Sequence, residues 1–304
     1  IFTGLAVATA FHAKLFNIGG EGQAYVGSLG VLLAAAIFAQ YLPSLLVIIL
    51  CIFCSALFGA AWAIIPGYLQ AKRGSHIVIT TIMFNFLASS LMVWLLSGIL
   101  MEKGQQSPQS NLLHESIRLP KVQDAFEFLG VNISSSPMNL SFIVALIALL
   151  LFWILIWKTT LGYEIRAVGK NQDAANYAGI NVPKIIIITM TISGAFAGLL
   201  AVNEVMGVQN RVILNYTAGY GFTGIAVALM GRNHPIGIFF ASLLFGVLFQ
   251  GGTELDFEFQ SITRDMVLLI QGLIILFSGA LAYMYNPTVS KIFNKIEKRS
   301  KKNG

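Results

Sequence analysis

The sequence predicts an all-α polytopic membrane protein with about eight or nine membrane segments, some of them broken. Of its 304 residues, 56% are hydrophobic and only 11% are charged, which leaves too few polar groups to cover a water-soluble globule. Apolar runs about as long as a bilayer core requires recur along the chain, separated by short polar turns. These runs do not alternate in polarity, as the strands of a transmembrane β-barrel would. The chain is therefore expected to cross the membrane repeatedly as helices.

Apolar runs bounded by charge, Gly or Pro define the predicted spans. In order they are an incomplete span ending near Phe11, then 22–40, 44–66, 77–100, 138–157, 184–202, a short span at 218–230, 234–252 and 265–285. The chain opens inside an apolar run and without Met, so we expect a native start and a further N-terminal span upstream. The short span is expected to be a half-helix, or to borrow the polar NYTAG segment before it.

Lys and Arg concentrate in alternate loops, and the loops between them carry mainly acidic residues. By the positive-inside rule, the basic set lies in the cytoplasm. The net charge of +6 is then a signal of orientation, not of nucleic-acid binding. The predicted organisation is a transmembrane domain over 1–285, with an extracytoplasmic loop at 101–137 and a cytoplasmic loop at 158–184, followed by a basic cytoplasmic tail at 286–304.

A polar break interrupts the apolar sequence near its start. The segment FNIGGEGQAYVG, from Phe16 to Gly27, contains three glycines within four positions. Such a cluster disfavours a continuous helix, and the freed backbone groups must face protein or a water-filled path because lipid cannot satisfy them. An ionisable residue there, Glu21, indicates a functional site. The alternative is a cytoplasmic turn with a solvated Glu21, which the nearby Lys14 supports.

Other polar and aromatic residues lie beside or within apolar runs. Amides such as Asn85 and Asn203 either bridge helices or contact a ligand, and aromatic rings beside the polar breaks could stack on a flat ligand. Gly194 and Gly198 are predicted to allow close helix packing, and the apolar surroundings of the CxxC at Cys51 predict a packing role for its thiols. The candidate ligand-binding residues are Phe16, Asn17, Glu21, Gln23, Phe84, Asn85, Tyr220 and Phe222.

The loop from Thr159 to Lys184 mixes small residues with charges and is predicted to form one or two short helices. Small residues let another helix approach closely, and the charges make the contact polar, as a docking surface for a soluble partner requires. An ordinary solvated loop fits the pattern equally well. The candidate docking residues are Glu164, Arg166, Gly169, Asp173, Ala174, Ala175 and Gly179.

Sequence motifs for catalysis are absent. There is no G-x-x-x-x-G-K-[ST] phosphate loop, no HExxH and no GxSxG, and the four histidines are scattered along the chain. We therefore expect no enzyme activity, no metal site and no cofactor in this chain. If nucleotide drives its function, ATP and magnesium bind to another chain.

Four segments carry a resemblance to a known family. LFNIGGEGQAYVG, HIVITTIMFNFLASS, GYEIRAVGKNQDAANYAGI and GIAVALMGRNHPIG resemble the permease subunits of bacterial ABC importers for nucleosides and simple sugars, a family that includes the branched-chain amino acid permeases. FNIGGEGQ resembles the longer of two sibling nucleoside permeases. Asp173, Ala174, Ala175 and Gly179 resemble the EAA-x-x-x-G coupling signature, with Asp in place of Glu.

The resemblance implies an assembly in the bacterial inner membrane. Its parts would be two permease subunits, as a sibling heterodimer, ATP-binding subunits docked on the 158–184 loop, and an extracytoplasmic substrate-binding lipoprotein. ATP-driven closure would push on the loop and reshape a cavity near Asn17, Glu21, Asn85 and 217–224, importing nucleosides by alternating access. The alternatives are a simple-sugar or branched-chain amino acid permease and, from other classes, an ion-coupled transporter or a channel. The sequence leaves open the substrate, homodimer or heterodimer, and the residues that contact substrate.

Overall fold

The computed structural model describes residues 1–102, 104–128, 138–258, 265–270, 272–274 and 276–277; the predicted tail at 286–304 lies outside them. This part of the chain is helical, with isolated β-bridges but no strand. Its helices are α1 (Phe2–His12), α2 (Gly20–Phe38), α3 (Ser44–Arg73), α4 (Ile77–Ser97), α5 (Val122–Phe128), α6 (Ser141–Lys158), α7 (Thr160–Lys170), α8 (Gln172–Tyr177), α9 (Val182–Gly198), α10 (Tyr220–Met230) and α11 (Pro235–Glu258), with a 3-10 turn at Glu115–Ile117 and a π-helix at Val202–Val208.

Among the described residues, six helical segments are long and apolar enough to cross a membrane: α2, α3, α4, α6, Val182–Val208 and α11. Three shorter apolar helices, α1, α10 and Asp265–Ile274, bring the described part of the chain to nine apolar segments. The fold class is confirmed, and the last predicted span, 265–285, extends past the described residues. Helix α10 has 11 residues, about 16 Å of rise, which is roughly half of a bilayer core. Because residues 214–219 form turns, α10 is a half-helix that does not borrow the NYTAG segment.

Helix α1 forms the centre of the bundle. All of its residues from Phe2 to Ala10 are buried, and it packs against α6, α9 and α10. In contrast, the outer faces of α3, α4, α6 and α11 expose large apolar side chains, which is the arrangement expected of helices solvated by lipid.

Close contact between α3 and α9 depends on glycine. A Cβ on Gly194 would meet the carbonyl of Gly59, and a Cβ on Gly198 would meet the carbonyl of Ser55. The hydroxyl of Ser55 donates to the carbonyl of Gly198 at 2.6 Å. The predicted close packing at Gly194 and Gly198 is therefore present in the structure.

The break between α1 and α2 lies earlier than the glycine cluster predicts. The non-helical segment is Ala13–Gly19, which we call the α1–α2 connection, and Gly20 and Gly22 already belong to α2. Gly22 allows close approach, because a Cβ there would meet the backbone of Asn85, whereas a Cβ on Gly20 would make only an ordinary contact with Gly221. The small size of Gly22 therefore serves helix packing, and the connection unwinds before both glycines.

The 158–184 loop folds into two short helices, as predicted. The side chains of Thr159, Asn171 and Asn181 cap the starts of α7, α8 and α9, respectively. Each accepts the backbone N–H of the residue three positions later in the chain. Gly179 follows α8 with a φ of 85°, a left-handed conformation that favours glycine.

Candidate binding site between α2, α4 and α10

The carboxylate of Glu21 joins α2 to the start of α10. Its Oε1 accepts the backbone N–H of Gly219 at 2.8 Å, and its Oε2 accepts that of Gly221 at 2.7 Å. Since the first N–H groups of a helix have no partner within the helix, the carboxylate satisfies donors that lipid could not. Glu21 is therefore no solvated turn residue; it stabilises the N-terminus of the half-helix α10.

A cavity of about 410 Å³ lies beside this contact. Its walls come from α2, α4, the turn before α10 and the first turn of α10: Glu21, Tyr25, Ile82, Asn85, Phe86, Ser89, Asn215, Thr217, Ala218, Gly219 and Phe222. The structure thus brings together three of the candidate residues, Glu21, Asn85 and Phe222. Glu21 is the only charged residue among these lining residues.

Asn85 has two functions in this geometry. Its Oδ1 accepts the N–H of Gly22 at 2.9 Å, and its Nδ2 donates to the carbonyl of Ile18 at 2.9 Å. The amide therefore bridges α4 to the α1–α2 connection. Because an amide offers two donors and two acceptor lone pairs, one donor and one acceptor position remain for a ligand in the cavity.

Asn17 and Gln23 lie behind the cavity, buried and bonded to each other. Asn17 Nδ2 donates to Gln23 Oε1 at 3.0 Å and to Ser193 Oγ at 2.8 Å, while Asn17 Oδ1 accepts the N–H of Gly19 at 2.8 Å. The hydroxyl of Ser193 donates in turn to the carbonyl of Ala6 at 2.6 Å. Each residue is 1% exposed, so neither faces the cavity. The geometry gives them a structural role in holding α1, α2 and α9 together.

The remaining aromatic candidates lie elsewhere. Phe16 stacks on Phe11 with ring centroids 5.1 Å apart, and Phe84 packs edge-to-face on Trp62 at 5.4 Å. Tyr220 lines a second cavity of about 530 Å³ that is bounded by α1, α6, α10 and α11. In that cavity, Asn203 accepts hydrogen bonds from Ser141 and Asn139 and donates to Glu204.

Among the polar lining residues, Tyr25, Ser89, Asn215 and Thr217 were not individual candidates, although Thr217 belongs to the 217–224 segment expected near the cavity. Tyr25 donates to Asn215 Oδ1 at 3.1 Å, which fixes the turn before α10 against α2. Helical spacing could have identified two of them, because residues four positions apart lie on the same face of a helix. Tyr25 follows Glu21 by four residues, and Ser89 follows Asn85 by four. Asn215 and Thr217 lie in a turn whose position no helical period predicts.

The candidate docking residues divide between two faces of α7 and α8. Asp173, Ala174 and Gly179 are exposed, and Glu164 and Arg166 are half-buried. Gly169 and Ala175 are buried and cannot contact a partner directly; a Cβ on Gly169 would meet the carbonyl of His12. An aromatic residue outside the predicted set, Tyr177, is 97% exposed at the end of α8.

Comparisons with known proteins give a consistent picture. The family model described as "Branched-chain amino acid transport system / permease component" matches residues 1–279. The guanosine ABC transporter permease protein NupP of Bacillus subtilis is 37% identical over 280 residues, 91% of this chain and 77% of that protein. The nucleoside ABC transporter permease protein NupB of Lactococcus lactis is 37% identical over 289 residues, 91% of this chain and 75% of its own length.

A sugar permease is nearly as similar. The glucose ABC transporter permease protein TsgB13 of Haloferax volcanii is 34% identical over 279 residues, 91% of this chain and 72% of that protein. A second guanosine permease protein of Bacillus subtilis, NupQ, and a second nucleoside permease protein of Lactococcus lactis, NupC, are each only 28% identical over 81% of this chain. No solved structure matches. The family model covers nearly the whole chain, and the chain belongs to the family of permease components of the branched-chain amino acid transport system type.

Proposed function

We propose that this chain is the permease subunit of an ATP-driven importer that translocates nucleosides by alternating access. The observation that carries the proposal is the 37% identity, over 91% of the chain, to permease proteins of a guanosine and of a nucleoside ABC transporter. The cavity between α2, α4 and α10 is the proposed substrate site.

The chemistry of this cavity suits a nucleoside. A nucleoside has a flat base, which stacks on aromatic faces, and uncharged hydroxyl and amide groups, which pair with side-chain amides and hydroxyls. The walls provide the rings of Phe86 and Phe222, together with the amides of Asn85 and Asn215. Both rings line the cavity and neither is buried, since Phe222 is 50% exposed and Phe86 is 64% exposed.

An amino acid fits the cavity less well. A zwitterion brings one carboxylate and one ammonium group, and burying either without a partner is costly. Among the residues that line the cavity there is one carboxylate, already bound to α10, and no Lys or Arg. The branched-chain amino acid alternative is therefore disfavoured, although the family carries that name.

Simple sugars are the second candidate, because the glucose permease protein is 34% identical over a similar length. Competition between solutes for import distinguishes a nucleoside permease from a sugar permease. Import of labelled guanosine by vesicles that carry the full assembly should be blocked by excess unlabelled adenosine or cytidine and not by glucose or ribose. Inhibition by glucose with no inhibition by nucleosides would replace the nucleoside assignment with a sugar.

ATP and magnesium are proposed to bind to a partner subunit that docks on α7 and α8. The exposed residues Asp173, Ala174 and Gly179 resemble the coupling signature, and Tyr177 offers an exposed ring of the kind that anchors interfaces. Within the described ranges, no group of three or more His, Cys, Asp or Glu side chains could hold a metal ion.

The proposed assembly contains a second, different permease. Bacillus subtilis and Lactococcus lactis each have one permease protein 37% identical to this chain and another only 28% identical, which supports a heterodimer of siblings. An extracytoplasmic lipoprotein would deliver the substrate. We place the assembly in the bacterial inner membrane, with the α7–α8 end and the 286–304 tail in the cytoplasm, on the basis of the basic loops. Ligand binding by the purified lipoprotein of the assembly would identify the substrate most directly.

A further inference from the structure

His12 lies where three parts of the bundle meet. It is the last residue of α1, and its Nε2 is 3.1 Å from the carbonyl of Asn233, in the turn between α10 and α11. Its ring packs edge-to-face on Trp157 of α6, with centroids 5.3 Å apart, and Trp157 in turn packs on His234 at 5.2 Å. The end of α1 is therefore joined to the far end of the half-helix α10.

Helix α7 packs on the same point. A Cβ on Gly169 would meet the carbonyl of His12 and the Cα of Ala13, so α7 and the end of α1 are in backbone contact. Lys14 Nζ is also 3.4 Å from the carbonyl of Lys170. Because backbone contact leaves no compressible side chain between the two segments, displacement of α7 must displace the end of α1.

Both ends of α10 are held by this part of the chain. His12 contacts the carbonyl of Asn233 at one end, Glu21 accepts the N–H groups of Gly219 and Gly221 at the other, and the α1–α2 connection joins the two residues. The backbone on each side of α10 is left-handed, with φ of 45° and 82° at Ala218 and Gly219 and 51° and 56° at Arg232 and Asn233. Helix α10 is thus a short rigid element between two sharp turns, and its first turn lines the proposed substrate cavity.

We propose that the hydrogen bond from His12 to the carbonyl of Asn233 transmits movement of α7 to α10, and so couples ATP hydrolysis on the partner to the shape of the cavity. His12 is a positioning residue; it touches neither substrate nor nucleotide. This inference rests on the proposed function insofar as it needs an ATPase docked on α7. It does not depend on which solute is imported.

The test measures the accessibility of a thiol on the cavity wall and needs no substrate. In the complete assembly, with Cys51 and Cys54 of this chain replaced by Ala, the isosteric substitution Ser89→Cys places a thiol on the cavity wall. Its rate of reaction with a small maleimide is compared between the nucleotide-free and the ADP-vanadate-trapped assembly. The same comparison is made in the variants His12→Ala, His12→Phe and His12→Gln, with His76→Ala as the control for an exposed histidine before α4.

The expected results separate the hydrogen bond from packing. We expect trapping to change the labelling rate by at least about threefold in the parent and in His76→Ala, a shift that a modest change in conformer populations produces. His12→Ala and His12→Phe should lose this change while retaining assembly and basal ATP hydrolysis. His12→Gln, whose Nε2 can donate from a similar position, should retain it.

Other outcomes overturn the proposal. An unaltered response in His12→Ala would show that movement reaches the cavity by another route, and a response kept in His12→Phe but lost in His12→Gln would assign the transmission to ring packing. A parent with no nucleotide response would overturn both this proposal and the ATPase docking on which it rests. If the labelling change depends on His12 but the assembly does not import guanosine, only the nucleoside assignment is overturned.

Discussion

Glu21 and Gly219 are neighbours in space although 198 residues separate them in sequence. The hydrogen bond between the Glu21 carboxylate and the Gly219 N–H is 2.8 Å long, and it ties the start of α2 to the N-terminus of α10 at the wall of the cavity. A charged acceptor at a helix N-terminus is favourable because it offsets the partial positive charge of the unpaired N–H groups. The start of α10 is therefore held by one side chain of α2.

Removal of the Glu21 carboxylate should disrupt α10. In Glu21→Ala, the N–H groups of Gly219 and Gly221 lose their acceptors, and each charge-assisted hydrogen bond contributes about 1.5–3 kcal/mol. We expect guanosine uptake to fall at least about tenfold, since 1.4 kcal/mol corresponds to a factor of ten. Glu21→Gln keeps one acceptor oxygen and should give intermediate uptake. Equal uptake by Glu21→Ala and the parent would refute the role of this contact.

Asn17 should contribute to stability, with little direct effect on substrate affinity. Asn17→Ala leaves the side-chain amide of Gln23 and the N–H of Gly19 without partners in a buried environment, which costs about 1–3 kcal/mol for each unsatisfied group. Ser193 loses one partner but still donates to the carbonyl of Ala6. We expect a lower thermal transition of the purified assembly and less protein in the membrane. The KM of the surviving protein should match that of the parent. A raised KM at normal stability would instead place Asn17 in the substrate path.

Phe222 should affect affinity through stacking. Phe222→Ala removes an aromatic face from the cavity wall, and a base stacked on an aromatic ring contributes about 1–3 kcal/mol. The KM for guanosine should therefore rise about fivefold to a hundredfold, by the conversion of 1.4 kcal/mol per factor of ten. Phe53→Ala is the matched control, because Phe53 of α3 is similarly exposed (62% against 50%) but does not line the cavity. If both variants raise KM equally, or neither does, stacking at Phe222 is not part of recognition.

A substitution at Gly179 tests the proposed docking surface on α8. Gly179→Arg places a long cation on the surface proposed to contact the ATPase, and we expect ATP hydrolysis to continue while uptake is lost. Gly104→Arg is a close control: both glycines have a φ of 85° and open space where a Cβ would be, so the backbone strain of about 1–2 kcal/mol is shared. Gly104 belongs to the loop predicted to be extracytoplasmic. Parallel loss of uptake in both variants would indicate strain and not docking.

The spans and the two loop helices could be predicted because their signals are local. Apolar length and flanking polar residues determine a membrane segment, and the capping residues Thr159, Asn171 and Asn181 mark the starts of α7, α8 and α9. The half-helix α10 could also be inferred, because its apolar run is too short to cross the bilayer. These properties need no knowledge of distant contacts.

The site was only partly predictable because it depends on contacts between distant segments. Asn17 and Glu21 are four residues apart and equally polar in sequence, yet Asn17 is buried against Ser193 while Glu21 reaches α10. Glycine was ambiguous in the same way: Gly20 and Gly22 could have unwound the chain, but both belong to α2, and Gly22 packs it closely on α4. Which side chain faces a cavity is set by tertiary packing, which composition and spacing do not specify.

Uptake by reconstituted vesicles tests the central claim most directly. The full assembly is placed in proteoliposomes with the binding protein, and labelled guanosine uptake is measured with ATP, without ATP, and with ATP after ionophores have dissipated the ion gradients. We predict uptake that requires ATP and is unaffected by ionophores. Uptake that persists without ATP and collapses with the ion gradient would contradict the account.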